Sequence, residues 1–172
     1  MSTRDEEQRK LKGSGLLSGL TDEEAESFLA IARRIECARG SVIMHEGEPG
    51  DTMYLLATGE VDVTKNLTLK LGDREFANVD KSMNKIQATS SPIFGEMSLF
   101  GPEPRSATVT AAAPCVLYEI TKADFDAFSE SNPRIALLVV KHIAAILCSR
   151  VRRGNAETLK LSTALSLALS TR

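Results

Sequence analysis

Two side chains able to recognise a small molecule lie close together in FGEMSLFGPEPRSATVTA, residues 94 to 111. Glu96 is a hydrogen-bond acceptor and repels phosphate, so it suits a hydroxyl such as a ribose 2'-OH. Arg105 offers a planar fork of donors that fits phosphate oxygens better than a lysine would. Gly95 lets the backbone come close to a ligand. EMSLF is long enough for one helical turn whose first amides face an anion, and Ser106 adds a hydroxyl beside the arginine. Together these groups describe a site for a ribose phosphate. The same carboxylate and guanidinium also read as a structural ion pair, and both readings stand on the residues alone.

Whichever reading holds, the surrounding elements must position these groups. Ahead of the cassette, GSVIMHEGEPGDTMYLLATGEVDVTK alternates short apolar runs with glycine-rich turns and reads as three strands. Gly59, in ATGEV, stands where a tight hairpin needs positive φ. After the cassette, SATVTAAAPCVLYEI gives two strands broken at Pro114. Short strands at regular spacing indicate a barrel or sandwich. Between the two groups, residues 64–91 are polar; LTLKL and KIQA look like strand pieces around an exposed hairpin.

Helices bracket this β region. Thr21 with Glu24 forms a capping box ahead of a helix expected from 22 to about 34. Thr121 caps a second helix over KADFDAFSES, and Asn132-Pro133 opens a long third one. In that third helix Ile135, Leu138, Val139, His142, Ile143, Ile146 and Leu147 form an apolar stripe, a core face or a dimer seam. It ends in Arg150, Arg152 and Arg153, with Gly154 placed to stop or bend it. In the tail, Leu161, Leu165 and Leu169 fit a helix, while the LSLALS alternation also fits a strand. Residues 1–14 are polar and expected to be flexible, 15–153 form the domain, and 154–172 are a tail.

The totals narrow the function. Apolar residues make up 42% and charged residues 26% of 172, with a net charge of -2, so nothing global points to nucleic acid or a membrane. The longest strongly apolar run, IALLVV, is too short to span a bilayer, and the N-terminus lacks the apolar core of a signal peptide. Cys37, Cys115 and Cys148 are too scattered for a disulfide framework or a metal knuckle, and suit reduced thiols in the cytoplasm. With only His45 and His142, no metal-ligand cluster is expected. No catalytic triad, P-loop or HExxH motif is visible, so an enzyme is not expected.

FGEMSLFGPEPRSATV resembles the phosphate-binding cassette of cyclic nucleotide-binding domains, of the catabolite activator and protein kinase A regulatory subunit type. GEPGDTMYLLATGEVDV resembles the family's β-roll signature, and the likeness covers roughly residues 15–153. It implies an α+β fold: a double-stranded, jelly-roll-like β-roll between an N-terminal helix and a C-terminal helix pair. It further implies cyclic AMP or cyclic GMP as ligand, without a metal. Glu96 would take the ribose 2'-hydroxyl and Arg105 the cyclic phosphate. Gly95, Met97 and Ser98 would give backbone contacts, and Ser106 would touch phosphate or base.

Two features depart from the family. Where the catabolite activator offers adenine a Thr-Ser pair, counting from Asn132-Pro133 gives Arg150-Val151, so Arg150 or Arg153 is the candidate for the base end. Only 18 residues follow Gly154, too few for a DNA-reading winged helix. The expectation is a non-catalytic sensor that dimerises through its long helix and signals to an effector protein, without DNA or membrane contact. The alternative is a ligand-free β-roll scaffold that assembles through its terminal helices.

Overall fold

Strand β3 (Thr52–Thr58) is buried on both faces, and its alternation organises the molecule. Met53, Leu55 and Ala57 point to a core shared with the helices, while Tyr54 and Leu56 point into the β-roll. The computed structural model describes residues 3–67, 70–71, 74–75, 79–88 and 92–170. The other strands are β1 (Arg33–Cys37), β2 (Val42–Met44), β4 (Glu60–Leu67), β5 (Lys70–Leu71), β6 (Arg74–Glu75), β7 (Val79–Gln87), β8 (Ile93–Phe94), β9 (Thr108–Ala111) and β10 (Cys115–Thr121). One sheet runs β1-β10-β3-β8 and the facing one β2-β9-β4-β7, all antiparallel, with β5-β6 as a small separate ribbon. This is the expected α+β β-roll. Gly59 turns β3 into β4 at φ 90°, and a Cβ there would lie 2.5 Å from the Pro114 carbonyl oxygen. Residues 68 and 69 of the LTLKL piece lie outside the described residues, while most of KIQA falls in β7.

Four helices pack on the first sheet or extend from it: α1 (Thr3–Lys12), α2 (Asp22–Ala30), α3 (Lys122–Ser131) and α4 (Pro133–Ser170). The Thr21 capping box is complete, and Thr121 Oγ1 accepts from the Asp124 amide at 3.0 Å. Phe28 meets Phe125 and Phe128 edge-on at 6.4 and 5.6 Å, joining α2 to α3. Val139 and Ile143 bring the first half of α4 onto the same core. Of the two readings of the apolar stripe, the core face is the one observed here. His142 reaches the Leu16 carbonyl at 2.8 Å through Nδ1, a contact that needs a proton on that nitrogen.

Three boundaries differ from expectation. The helix expected to reach about residue 34 ends at Ala30, because Arg33–Cys37 pairs with β10 and Arg33 grips Glu119 at 2.6 and 2.8 Å. The segment expected to be flexible forms α1. Its Leu11 is buried, and its Glu7, 3% exposed, takes a two-pronged bond from Arg34 at 2.7 and 2.8 Å plus the Tyr118 hydroxyl at 3.2 Å. Gly154 does not stop the last helix: α4 runs 38 residues through it. An exposed mid-helix glycine costs only about 1 kcal/mol, too little to end a helix. The tail is therefore helical, not a strand.

Candidate functional site

Arg105 is the centre of the site. It is 7% exposed, yet no carboxylate lies within ion-pair distance of it among the described residues. Neutral acceptors hold it instead. Nη1 donates to the Thr52 carbonyl at 2.6 Å and the Ser98 hydroxyl at 2.9 Å, with a longer contact of 3.3 Å to the Gly95 carbonyl. Nη2 donates to Thr52 Oγ1 at 2.6 Å. Thr52 in turn donates to the Tyr54 hydroxyl at 3.1 Å, whose proton is held more tightly mainly because the ring is buried. The Tyr54 ring lies 6.0 Å from the guanidinium carbon and stacks on Phe94 at 5.1 Å.

Two glycines make room for this arginine. A Cβ on Gly50 would sit 2.1 Å from Arg105 Nε, and one on Gly95 2.9 Å from Nη1. Gly95 also has φ 72°, a left-handed conformation that opens the short 3-10 turn Glu96–Leu99. The turn swings Glu96 inward, where it is 3% exposed.

Glu96 does not pair with Arg105, so the ion-pair reading of those two residues fails. Its Oε1 accepts from Arg150 Nη1 on α4 at 2.8 Å. Arg150 Nη2 also donates to the Ile93 carbonyl at 2.5 Å. The other oxygen, Oε2, is buried and has no hydrogen-bond partner among the described residues. An unsatisfied buried carboxylate oxygen carries a desolvation cost that a donor from a ligand would remove.

These groups surround a cavity of about 510 Å³ between the second sheet, the cassette and α4. Met44, Val63, Ile86 and Val109 form one apolar wall, and Leu147 and Val151 the other. Gly95, Glu96, Met97, Ser98, Arg105, Ser106 and Arg150 all line it. Arg153 is exposed and is not part of the lining. Thr52 and Gly50, which fix the arginine, read in the sequence only as part of a glycine-rich turn and strand: no local pattern ties them to a residue more than fifty positions away. A buried cation facing a buried carboxylate with one open oxygen, beside an apolar chamber, is a site for a small anion that also carries a hydroxyl and a flat apolar group.

Comparison with known proteins gives the family. The family model for the cyclic nucleotide-binding domain matches residues 34–132, more than half of the chain. This chain belongs to the cyclic nucleotide-binding domain family. It is 31% identical to a cyclic AMP receptor protein of Thermus thermophilus over 86% of this chain and 62% of that one. It is 38% identical to a cyclic nucleotide-gated potassium channel of Mesorhizobium japonicum over 56% of this chain and 22% of the channel. The crystal structure of the Thermus thermophilus catabolite activator protein superposes with a TM-score of 0.71 at 28% identity, covering 87% of this chain and 63% of that one. The chain thus spans less than two thirds of the length of these relatives. No helix among the described residues is long and apolar enough to cross a membrane, and no group of three or more potential metal ligands occurs among them.

Proposed function

We propose that this chain is a non-catalytic cytoplasmic sensor for a cyclic purine nucleotide, cyclic AMP or cyclic GMP, that reports occupancy through α4 to an effector protein. The observation that carries this reading is the buried Arg105, which has no counter-ion among the described residues, set beside Glu96 Oε2, which has no partner among them. A cyclic phosphate supplies the missing negative charge, and the ribose 2'-hydroxyl supplies the missing donor. Ser106 and the amides of Gly95, Met97 and Ser98 would complete the phosphate and ribose contacts. The base would lie along Leu147 and Val151, with the Arg150 guanidinium over its face and Arg153 further out.

The link to α4 follows from Glu96. One oxygen takes Arg150 while the other takes the ribose, so the ligand and the helix share one carboxylate. Filling the site would fix Glu96 and through it the orientation of α4. A guanidinium stacks on any purine, so a preference between adenine and guanine of about tenfold or less is expected. Calorimetric titration of the full chain with cyclic AMP and cyclic GMP tests the proposal. Binding of at least one, at one site per chain, is expected. No heat from either at millimolar concentration would favour the ligand-free scaffold.

A further inference from the structure

Away from the nucleotide site, the last rung of the β1-β10 ladder sets Cys37 directly opposite Cys115. Directly opposed residues of antiparallel strands have Cα atoms about 4.5–5.5 Å apart and project to the same face, within the span a disulfide bridges. Both side chains belong to the same apolar cluster. They also line a cavity of about 590 Å³ between α1 and the ends of β1 and β10. Their exposures differ. Cys37 is half-buried, whereas Cys115 is 3% exposed and is covered by Gly59, where a Cβ would lie 2.7 Å from its own Cβ.

We propose that Cys37 and Cys115 are a peroxide-responsive dithiol that closes into an intrachain disulfide across β1 and β10. The cavity lining favours a small neutral oxidant. Its charged groups are three carboxylates, Glu6, Glu7 and Glu36, against two cations, Lys10 and Arg34, so an anionic disulfide would be disfavoured. Roles follow from exposure: Cys37 meets the oxidant and Cys115 resolves. Burial raises the Cys115 thiol to about 11, which keeps it protonated until its partner is activated.

The step balances without a cofactor. The Cys37 thiol first gives its proton to solvent; the thiolate attacks one peroxide oxygen, an S–O bond forms, the O–O bond breaks, and the departing hydroxide takes a proton back from solvent to leave as water. The Cys115 sulfur then attacks the Cys37 sulfur; the S–S bond forms, the S–O bond breaks, and hydroxide leaves as water with the Cys115 proton. Two thiols lose two electrons in all, and one peroxide becomes two waters.

The test treats the full chain, as wild type and as Cys148→Ser, with a small excess of hydrogen peroxide, followed by alkylation and non-reducing peptide mapping. The expected product in both has lost the mass of two hydrogens, carries a Cys37–Cys115 linked peptide, melts higher and reverts with dithiothreitol. In Cys115→Ser, Cys37 should stop at a sulfenic acid that dimedone traps. Full alkylation of both thiols after peroxide, or Cys37 advancing to sulfinic acid with no linked peptide in wild type, would overturn the proposal.

Discussion

At the scale of single residues, Arg105 decides whether the site works, because every neighbour that positions it is uncharged. Lysine in its place keeps the charge but cannot give two donors to phosphate while still holding Thr52 and Ser98. Arg105→Lys is expected to weaken cyclic nucleotide binding at least tenfold, with the melting temperature of the free protein shifted little, measured by calorimetry and thermal melting. Gly50→Ala makes a sharper claim. Its Cβ would collide with Arg105 Nε, so the guanidinium must move. We expect Gly50→Ala to lower affinity as severely as Arg105→Lys, although residue 50 adds no group to the site; unchanged affinity would mean that Arg105 tolerates relocation. Glu96 and Arg105 were legible in the sequence because the cassette is local and chemically distinctive. Thr52 and Gly50 were not, because their role exists only once β3 and the cassette are brought together.

At the scale of elements, caps could be read and packing partners could not. The capping box at Thr21 and the N-cap at Thr121 lie within four residues and carry their own signal. The strand RRIEC has no such signal: next to a helix its arginines resemble another helical turn, and only pairing with β10 settles it. Helix α1 looked like a solvated polar segment because Glu7 finds Arg34 27 positions later. That pair gives α1 a measurable role. Arg34 holds the Glu7 carboxyl below its ordinary value of 4.5, so the folded state binds that proton less tightly than the unfolded one. Its contribution to stability is therefore fully present above about pH 4.5 and fades as pH falls through the lower folded value. Glu7→Gln should melt lower than wild type at pH 7, with the gap narrowing as pH falls through the lowered Glu7 value. A gap that does not change with pH would mean that α1 is held by Leu11 and its apolar neighbours alone.

At the scale of the whole molecule, α4 is longer than its own domain can use. Its buried positions end at Ile143, and every residue from Val151 to Ser170 is exposed. Twenty residues of helix exposed throughout are marginal in water, because propagation must repay a costly nucleus. A partner is therefore expected, and a second copy of the chain fits what α4 displays. Leu161, Leu165 and Leu169 follow one another at i, i+4 and are 66, 62 and 65% exposed, a stripe that a like helix can cover. Leu159 and Leu167 fall off this stripe, so a paired helix leaves part of the apolar surface for the effector. Pairing here would also place a second helix close to Arg150, through which the nucleotide is proposed to act. Analytical ultracentrifugation should show a dimer at micromolar concentration, and Leu161→Glu with Leu165→Glu should give a folded monomer. Nucleotide binding should survive in that monomer, because the cavity ends at Val151. A wild-type chain that sediments as a monomer up to high concentration would assign the whole leucine surface to the effector instead.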